Sequence, residues 1–203
     1  MLLVIDSATA ACSAALLGPG GEIIDQRHEI VGRGHAERLL PMVADLLGGR
    51  IPDSILVDCG PGSFTGVRVG LAAAHGLAIG WKVKLAGYSS LALIAATSGE
   101  AEIAVALLGG HGELFVQSYG GDPIAPLDAL RSLAPAEAAA AVSAGLVLGS
   151  GAEALVAARG RGRWQDALPR AADTPLLPLS LRSLAPRPIY GRAPDARPLM
   201  VPA

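Results

Sequence analysis

A glycine-rich stretch at residues 58–70, DCGPGSFTGVRVG, is the first candidate for chemistry in this sequence. An apolar run precedes it and a helix-like pattern follows, and a glycine-rich turn that opens a helix is a common site for phosphate. Ser63 or Thr65 would cap that helix. The stretch lacks the ending of a P-loop, the spacing of a dinucleotide-binding turn and the serine of a hydrolase elbow. Two alternatives stay open: the turn holds phosphate, or it only aims the helix.

A second candidate is the turn Asp6-Ser7-Ala8-Thr9, which follows the first apolar run. Actin-like ATPases place an aspartate and hydroxyl groups in such a turn around metal and phosphate. They usually have glycine at the position of Ala8, where the backbone must approach the phosphate closely. The alternative is a turn that Asp6 caps with its own side chain. The two stretches together predict these phosphate-proximal residues: Asp6, Ser7, Thr9, Gly60, Gly62, Ser63 and Thr65.

Histidines and cysteines predict neither a metal site nor a catalytic residue. The histidines are His28, His35, His75 and His111. None of them pair at the helical spacing of three or four that metal ligands use. Cys12 and Cys59 each lie in an apolar stretch, which is typical of buried free thiols in a reducing compartment.

Composition excludes several classes of function. The chain has 203 residues, of which 51% are hydrophobic and 17% charged, with a net charge of -2. It therefore lacks the excess of basic residues that independent binding of tRNA or DNA requires. Its apolar start lacks the basic region of a signal peptide, and no run reaches the ~20 residues that a membrane span needs. We expect a cytoplasmic protein with no membrane contact.

The elements that position these residues form an α/β chain of two lobes. The order β-β-β-α-β-α-β-α is predicted up to residue 99, beginning with an antiparallel meander. A weaker repeat of paired strands and short helices follows. We expect a first lobe over 1–99, a second, trimmed lobe over 100–181, and a Pro/Arg-rich segment over 182–203 that packs back or is mobile.

The helix after the glycine-rich turn contains two rows of small residues four apart. The first row is Gly66, Gly70 and Ala74, and the second is Ala72, Gly76 and Gly80. Glycine inside a helix costs about 1 kcal/mol relative to alanine, so these rows predict close contact with another helix. That helix could belong to this chain or to a partner. On the second alternative, Gly70→Leu would abolish partner binding and leave the chain folded.

Four segments resemble the TsaB (YeaZ) family, which is the non-catalytic partner in bacterial tRNA threonylcarbamoyladenosine biosynthesis. They are DSATAACSAALL at 6–17, GRGHAERLLPMVADLL at 32–47, GPGSFTGVRVGLAAAHGLAIG at 60–80 and RPIYGRAPDA at 187–196. The resemblance implies an α/β, actin-like two-lobed fold of the ribonuclease H-like superfamily that contains acetate and sugar kinases, Hsp70 and actin. One departure lies at Leu108-Gly109-Gly110, where family members usually have Asp-Ala-Arg before the glutamate that corresponds to Glu113.

The resemblance also implies the partners. The chain would bind the catalytic subunit TsaD and act with the ATPase TsaE on adenosine 37 of tRNAs that read codons beginning with A. It would form a homodimer when alone and meet tRNA only through the complex. No tightly bound cofactor is implied, although ATP or ADP could bind at the partner interface. The residues implied for that interface are His35, Leu39, Met42, Val43, Gly66, Arg68, Gly70, Leu71 and Ala74.

A second function remains open: a small actin-fold ATPase or kinase that acts on its own. It would need a pair of carboxylates for metal and an intact phosphate turn. Ala8 and the residues at 108–110 argue against it, and the sequence predicts no catalytic residue in this chain.

Overall fold

The structure, a computed structural model, describes residues 1–191 as a mixed α/β chain built on two sheets. The last part of the predicted C-terminal segment, residues 192–203, lies outside the described residues. Among residues 1–191, no helix has both the length and the apolar character that a membrane span requires.

The first sheet has five strands in the order β3-β2-β1-β4-β5. Its strands are β1 Leu2–Asp6, β2 Ala11–Leu17, β3 Ile23–Ile30, β4 Ser54–Asp58 and β5 Lys84–Tyr88. Its helices are α1 His35–Leu47, α2 Phe64–Trp81 and α3 Ser90–Ala96. Strands β1 to β3 form the predicted antiparallel meander. Strands β4 and β5 run parallel to β1, because α1 and α2 carry the chain back across the sheet.

Side chains of β1 alternate between two cores, as a strand covered on both faces requires. Leu3 and Ile5 pack with α1 and α2 on one face of the sheet. Val4 points to the other face, where α3 and the second sheet lie. Helix α3 is therefore the layer between the two sheets. Both cysteines are free and buried, as predicted.

The second sheet joins two parallel strand pairs to an antiparallel hairpin, in the order β11-β10-β6-β7-β8, with β9 also on β7. Its strands are β6 Glu102–Leu108, β7 Leu114–Gly120, β8 Ala125–Pro126, β9 Arg131–Leu133, β10 Leu146–Leu148 and β11 Arg163–Gln165. Its helices are α4 Pro135–Ala141 and α5 Ala152–Arg159, which cover a third core. The short strands β8 and β9 have no counterpart in the sequence prediction.

The described part of the C-terminal segment, residues 182–191, packs back on the first sheet. Leu184 exchanges two backbone hydrogen bonds with Gly87 of β5, at 2.8 and 2.9 Å. Further on, the Ile189 N–H donates to the Cys59 carbonyl at 2.8 Å. These bonds bring residues 188–191 to the start of α2.

Candidate functional site

The glycine-rich stretch and the turn after β1 pack directly on one another. The Ser63 N–H donates to the Ala8 carbonyl, and the Ser7 hydroxyl donates to the Gly66 carbonyl at 2.9 Å. A Cβ atom at Gly62 would lie 2.1 Å from the Ala8 carbonyl oxygen, and one at Gly66 would lie 2.1 Å from the Ser7 carbonyl oxygen. These glycines therefore allow two backbone segments to touch, and no space for a phosphate lies between the segments.

The start of α2 is capped as predicted by Ser63. Its hydroxyl accepts from the Gly66 N–H at 3.2 Å, and its carbonyl accepts from the Val67 N–H at 2.9 Å. The exposed Thr65 lies in the first turn of the helix. The cap occupies the Gly66 N–H, which is one of the donors that an anion would otherwise bind, and this supports an orienting role for the turn.

A cleft of about 950 Å³ lies between the two lobes. Of the seven residues predicted near phosphate, Thr9, Gly62 and Ser63 line it. Asp6 and Ser7 are buried beneath the turn, and Gly60 and Thr65 are outside the lining. The structure therefore brings only part of the predicted set to an open site.

The charge of the cleft is low. Its described lining has two basic side chains, Arg68 and His111, and one acidic side chain, Glu113. The Glu113 carboxylate accepts from the Ser132 hydroxyl at 2.6 Å. Most of the other lining residues are apolar or small, so the cleft offers little compensation for the charge of a triphosphate.

Arg68 lies at the mouth of this cleft and joins α2 to the C-terminal segment. Its guanidinium carbon is 3.4 Å from the centroid of the Phe64 ring, which is a cation–π contact. It also donates to the Tyr190 hydroxyl at 3.3 Å. Phe64 and Tyr190 are both about 60% exposed, so the cluster is open to solvent.

A buried polar cluster lies where β1 and β4 end. Tyr88 donates its hydroxyl to Asp6 at 2.7 Å, and Ser90 donates to Asp58 at 2.7 Å. The Gly60 N–H donates to Asp58 at 2.8 Å. Burial raises the pKa of Asp6 well above its ordinary value, and the nearby Asp58 charge raises it further. Burial also raises the pKa of Asp58, to about 6.

Sequence reasoning identified Asp6 but missed Asp58. Each residue ends an apolar strand, and this is the signal that could have paired them. In residues 1–191, no group of three or more histidine, cysteine or acidic side chains is arranged to hold a metal ion. His35, a predicted interface residue, is buried, and its Nε2 lies 3.2 Å from the Ala11 carbonyl oxygen.

Eight of the nine residues expected to contact a partner are covered by the chain itself. The buried ones are His35, Leu39, Met42, Val43, Gly66, Gly70, Leu71 and Ala74. Arg68 alone of the nine is exposed. A Cβ atom at Gly70 would lie 2.5 Å from the Ser7 hydroxyl oxygen. The first small-residue row thus packs against the turn after β1, and Gly70→Leu would disturb the fold itself.

The second small-residue row points outward. Within the described part of the chain, Cβ atoms at Gly76 and Gly80 would meet no other segment within 4 Å. Ile79 of the same helix is 77% exposed, and Leu40 of α1 is 50% exposed. We use the name outer helix face for the exposed side of α1 and α2, formed by Leu40, Pro41, Ala44, Ala72, Gly76, Ile79 and Gly80. Small and apolar residues on an exposed helix pair are typical of a protein contact surface.

Comparison with known proteins identifies the family. A family model described as "TsaD: tRNA N6-adenosine threonylcarbamoyltransferase" matches residues 22–174. The curated TsaB of Escherichia coli is 37% identical over 130 residues, which cover 60% of this chain and 55% of that protein. The solved structure of YeaZ from Pseudomonas aeruginosa superposes with a TM-score of 0.78 at 28% identity, over 93% of this chain and 98% of that one. The chain belongs to this family, among its TsaB/YeaZ members.

Another curated TsaB, from Haemophilus influenzae, is 39% identical over 104 residues, or 49% of this chain and 43% of that protein. The chain thus spans about half the length of the curated TsaB relatives that it matches. Membership of the TsaB/YeaZ family confirms the expected α/β, actin-like two-lobed fold.

The departure from the usual TsaB/YeaZ pattern at 108–110 lies on the cleft. Leu108, Gly109 and Gly110 all line it, and Leu108 is 61% exposed. The Gly109 N–H donates to the Glu113 carbonyl at 2.8 Å, which closes a short turn. An apolar side chain and two glycines therefore stand where the family usually has an acidic and a basic group.

Proposed function

We propose that this chain acts in tRNA threonylcarbamoyladenosine biosynthesis as a non-catalytic partner subunit that binds TsaD. The names of the curated TsaB relatives support the pathway. The observation that carries the role of partner is the outer helix face. There Ile79 and Leu40 are exposed beside Gly76 and Gly80, where an added Cβ atom would meet no other part of residues 1–191 within 4 Å. Glycine destabilises an exposed helix relative to alanine, and close packing of a partner helix would explain why glycine is present there.

The turn after β1, where an ATPase would bind phosphate, supports a role in which this chain alone does not catalyse a reaction. Asp6 and Ser7, which a kinase or ATPase would direct at metal and phosphate, are buried with at most 1% exposure. Both side chains are hydrogen-bonded within the chain: Asp6 accepts from the Tyr88 hydroxyl, and Ser7 donates to the Gly66 carbonyl. The alternative of an actin-fold ATPase or kinase acting alone would require this turn to open.

We further propose that no nucleotide binds tightly to the chain alone and that ATP or ADP binds only where TsaD completes the site. The described lining of the cleft has just two basic side chains, Arg68 and His111, which is little positive charge for holding a nucleotide's phosphates. The net charge of -2 argues against strong binding of tRNA by the chain alone, so we expect contact with tRNA through the complex with TsaD and TsaE. Calorimetric titration of the isolated chain with ATP tests it: micromolar binding with hydrolysis would favour the ATPase alternative.

The partner surface can be tested by charge substitution. Ile79→Asp is expected to weaken binding to the TsaD of the same organism at least tenfold, because the contact would bury an unpaired carboxylate. Calorimetry or co-purification measures the affinity. Leu179→Asp is the matched control. Leu179 is 71% exposed, and its neighbours Leu177 and Leu181 pack in the core on the other face of the first sheet from α1 and α2. Equal binding by the wild type and Ile79→Asp would overturn the assignment of this surface.

Self-association is expected to use the same face when TsaD is absent. Sedimentation of the chain alone should then show a dimer for the wild type and for Leu179→Asp. Ile79→Asp should sediment as a monomer, because two charged residues would face each other across a symmetric contact. A dimer that survives Ile79→Asp would place self-association on another surface.

Gly76→Ala separates stability from association. It is expected to raise the free energy of unfolding by about 0.5–1 kcal/mol, because alanine favours the helix and its Cβ meets open space. The same methyl group should weaken binding to TsaD by holding the helices apart. Urea denaturation and calorimetry measure the two effects. A variant that is more stable and binds TsaD equally well would contradict close packing at Gly76.

A further inference from the structure

Two carboxyl groups lie side by side beneath the cleft. Strands β1 and β4 are parallel neighbours, and the pairing of Ile5 with Val57 places Asp6 beside Asp58. Asp6 is completely buried and Asp58 is 2% exposed. The Asp58 charge acts directly on Asp6 and raises its pKa. Two buried carboxyl groups this close cannot both ionise readily, so one of them keeps its proton.

The donors around the pair show which carboxyl group that is. Both oxygens of Asp58 accept a hydrogen bond, Oδ1 from the Gly60 N–H and Oδ2 from the Ser90 hydroxyl. Asp6 Oδ2 accepts from the Tyr88 hydroxyl. Asp6 Oδ1 is buried and has no hydrogen-bond partner within residues 1–191. Asp6 therefore suits the neutral acid that donates, and Asp58 suits the carboxylate that accepts.

Every other titratable group that acts on the pair is itself an acid. Tyr88 approaches from β5, Cys12 from β2, and Cys59 follows β4. Burial raises the pKa of Cys12 to about 11 and that of Cys59 to about 12, so both thiols stay neutral at pH 7. Cys12 is acted on by the charges of Glu29 and Arg38, which pair with one another. From α3 the Ser90 hydroxyl donates to Asp58, and from the glycine-rich turn the Gly60 N–H does so.

We propose that Asp6 and Asp58 form a buried proton-binding site. In this site Asp6 keeps its proton and donates a hydrogen bond to the Asp58 carboxylate. The site supports the glycine-rich turn, because Asp58 accepts from the Gly60 N–H and Ser90 lies 3.2 Å from the Pro61 carbonyl. Loss of the proton would leave two buried negative charges with no cation from residues 1–191 bonded to them, and such charges repel strongly. The order of the turn thus depends on pH.

The sign of the pH effect follows from linkage. An unfolded aspartate releases its proton near pH 4, whereas burial keeps the pKa of Asp6 well above that value in the fold. The unfolded state therefore binds fewer protons than the native state as the pH rises. The contribution of Asp6 to stability is complete below about pH 4 and falls with rising pH, by about tenfold in the folding equilibrium constant per pH unit, until Asp6 itself ionises.

Asp6→Asn tests the proposal because asparagine imitates the protonated acid. Its amide oxygen can accept from Tyr88 and its amide nitrogen can donate to Asp58. The ratio of folding equilibrium constants, wild type over Asp6→Asn, is expected to fall about tenfold per pH unit between pH 5 and pH 8. Urea denaturation at each pH measures it. Asp45→Asn is the control, since Asp45 is an exposed partner of Arg27 and its ratio should not follow this trend.

A ratio for Asp6→Asn that stays flat or rises with pH would overturn the proposal. Infrared spectroscopy gives a second test that does not depend on the folding of a variant. The wild type at pH 7 is expected to show the carbonyl stretch of a buried protonated carboxylic acid, which disappears at high pH. Absence of that band from the folded wild type at pH 7 would also overturn it. Neither measurement involves TsaD, so both are independent of the proposed function.

Discussion

Gly66→Ala is expected to destabilise the chain by roughly 3 kcal/mol or more, because the added methyl group would collide with a backbone carbonyl. The new Cβ would lie 2.1 Å from the Ser7 carbonyl oxygen and 3.3 Å from the Ser63 Cβ. A backbone carbonyl cannot move aside as the end of a flexible side chain can. Helix α2 would have to shift away from β1, which would also break the bond from the Ser7 hydroxyl to the Gly66 carbonyl.

Urea denaturation of Gly66→Ala beside Gly76→Ala measures this effect with a matched control. Both substitutions add one methyl group to a glycine of α2, but only Gly66 faces the turn after β1. The two variants should therefore change the free energy of unfolding in opposite directions. If Gly66→Ala were as stable as the wild type, the close packing of α2 on that turn would be wrong.

Asp58→Ala is expected to lower the free energy of unfolding by roughly 2–4 kcal/mol, because it removes the acceptor of two buried donors. The Gly60 N–H and the Ser90 hydroxyl both donate to this carboxylate. The Gly60 N–H would be left without a partner, and the start of the glycine-rich turn would lose its tie to β4. Hydrogen exchange of the amides of residues 60–67 should accelerate together with the loss of stability.

Asp45→Ala is the control for this prediction. Asp45 is exposed and pairs with Arg27 at the surface, so its loss should change stability by about 0.5 kcal/mol or less. Unchanged exchange at residues 60–67 in Asp58→Ala would mean that other contacts, and not this carboxylate, hold the turn.

Secondary structure could be predicted well in the first lobe. Strong turn signals separate the first three strands, and the apolar period changes clearly at α1. The two-residue strand β8 and the three-residue strand β9 were missed, because strands so short have no period to read. They exist only because β7 offers them hydrogen-bonding groups.

The orientation of α2 could not be predicted. Its two rows of small residues have the same spacing, and alanine and glycine on both sides leave little contrast between an inner and an outer face. The turn after β1 decides the matter by lying against Gly66 and Gly70. Eight of the nine expected interface residues are accordingly buried in the chain, and the second row of small residues is exposed to solvent.

The pairing of Asp6 with Asp58 was likewise decided by the tertiary structure and not by the sequence pattern. Each aspartate ends a buried strand, which the sequence indicates, but 51 residues separate Asp6 from Asp58 along the chain. Only the parallel pairing of β1 with β4 makes them neighbours, and their burial is the basis of the proposed proton-binding site.

By itself, the sequence determined the α/β class, the meander, the capped start of α2 and the resemblance to TsaB, because these depend on local patterns and on a distinctive motif. Tertiary structure alone decided which glycines touch the chain, which face solvent and which carboxyl groups meet. Those outcomes depend on contacts between segments far apart in sequence, and no local pattern encodes such contacts.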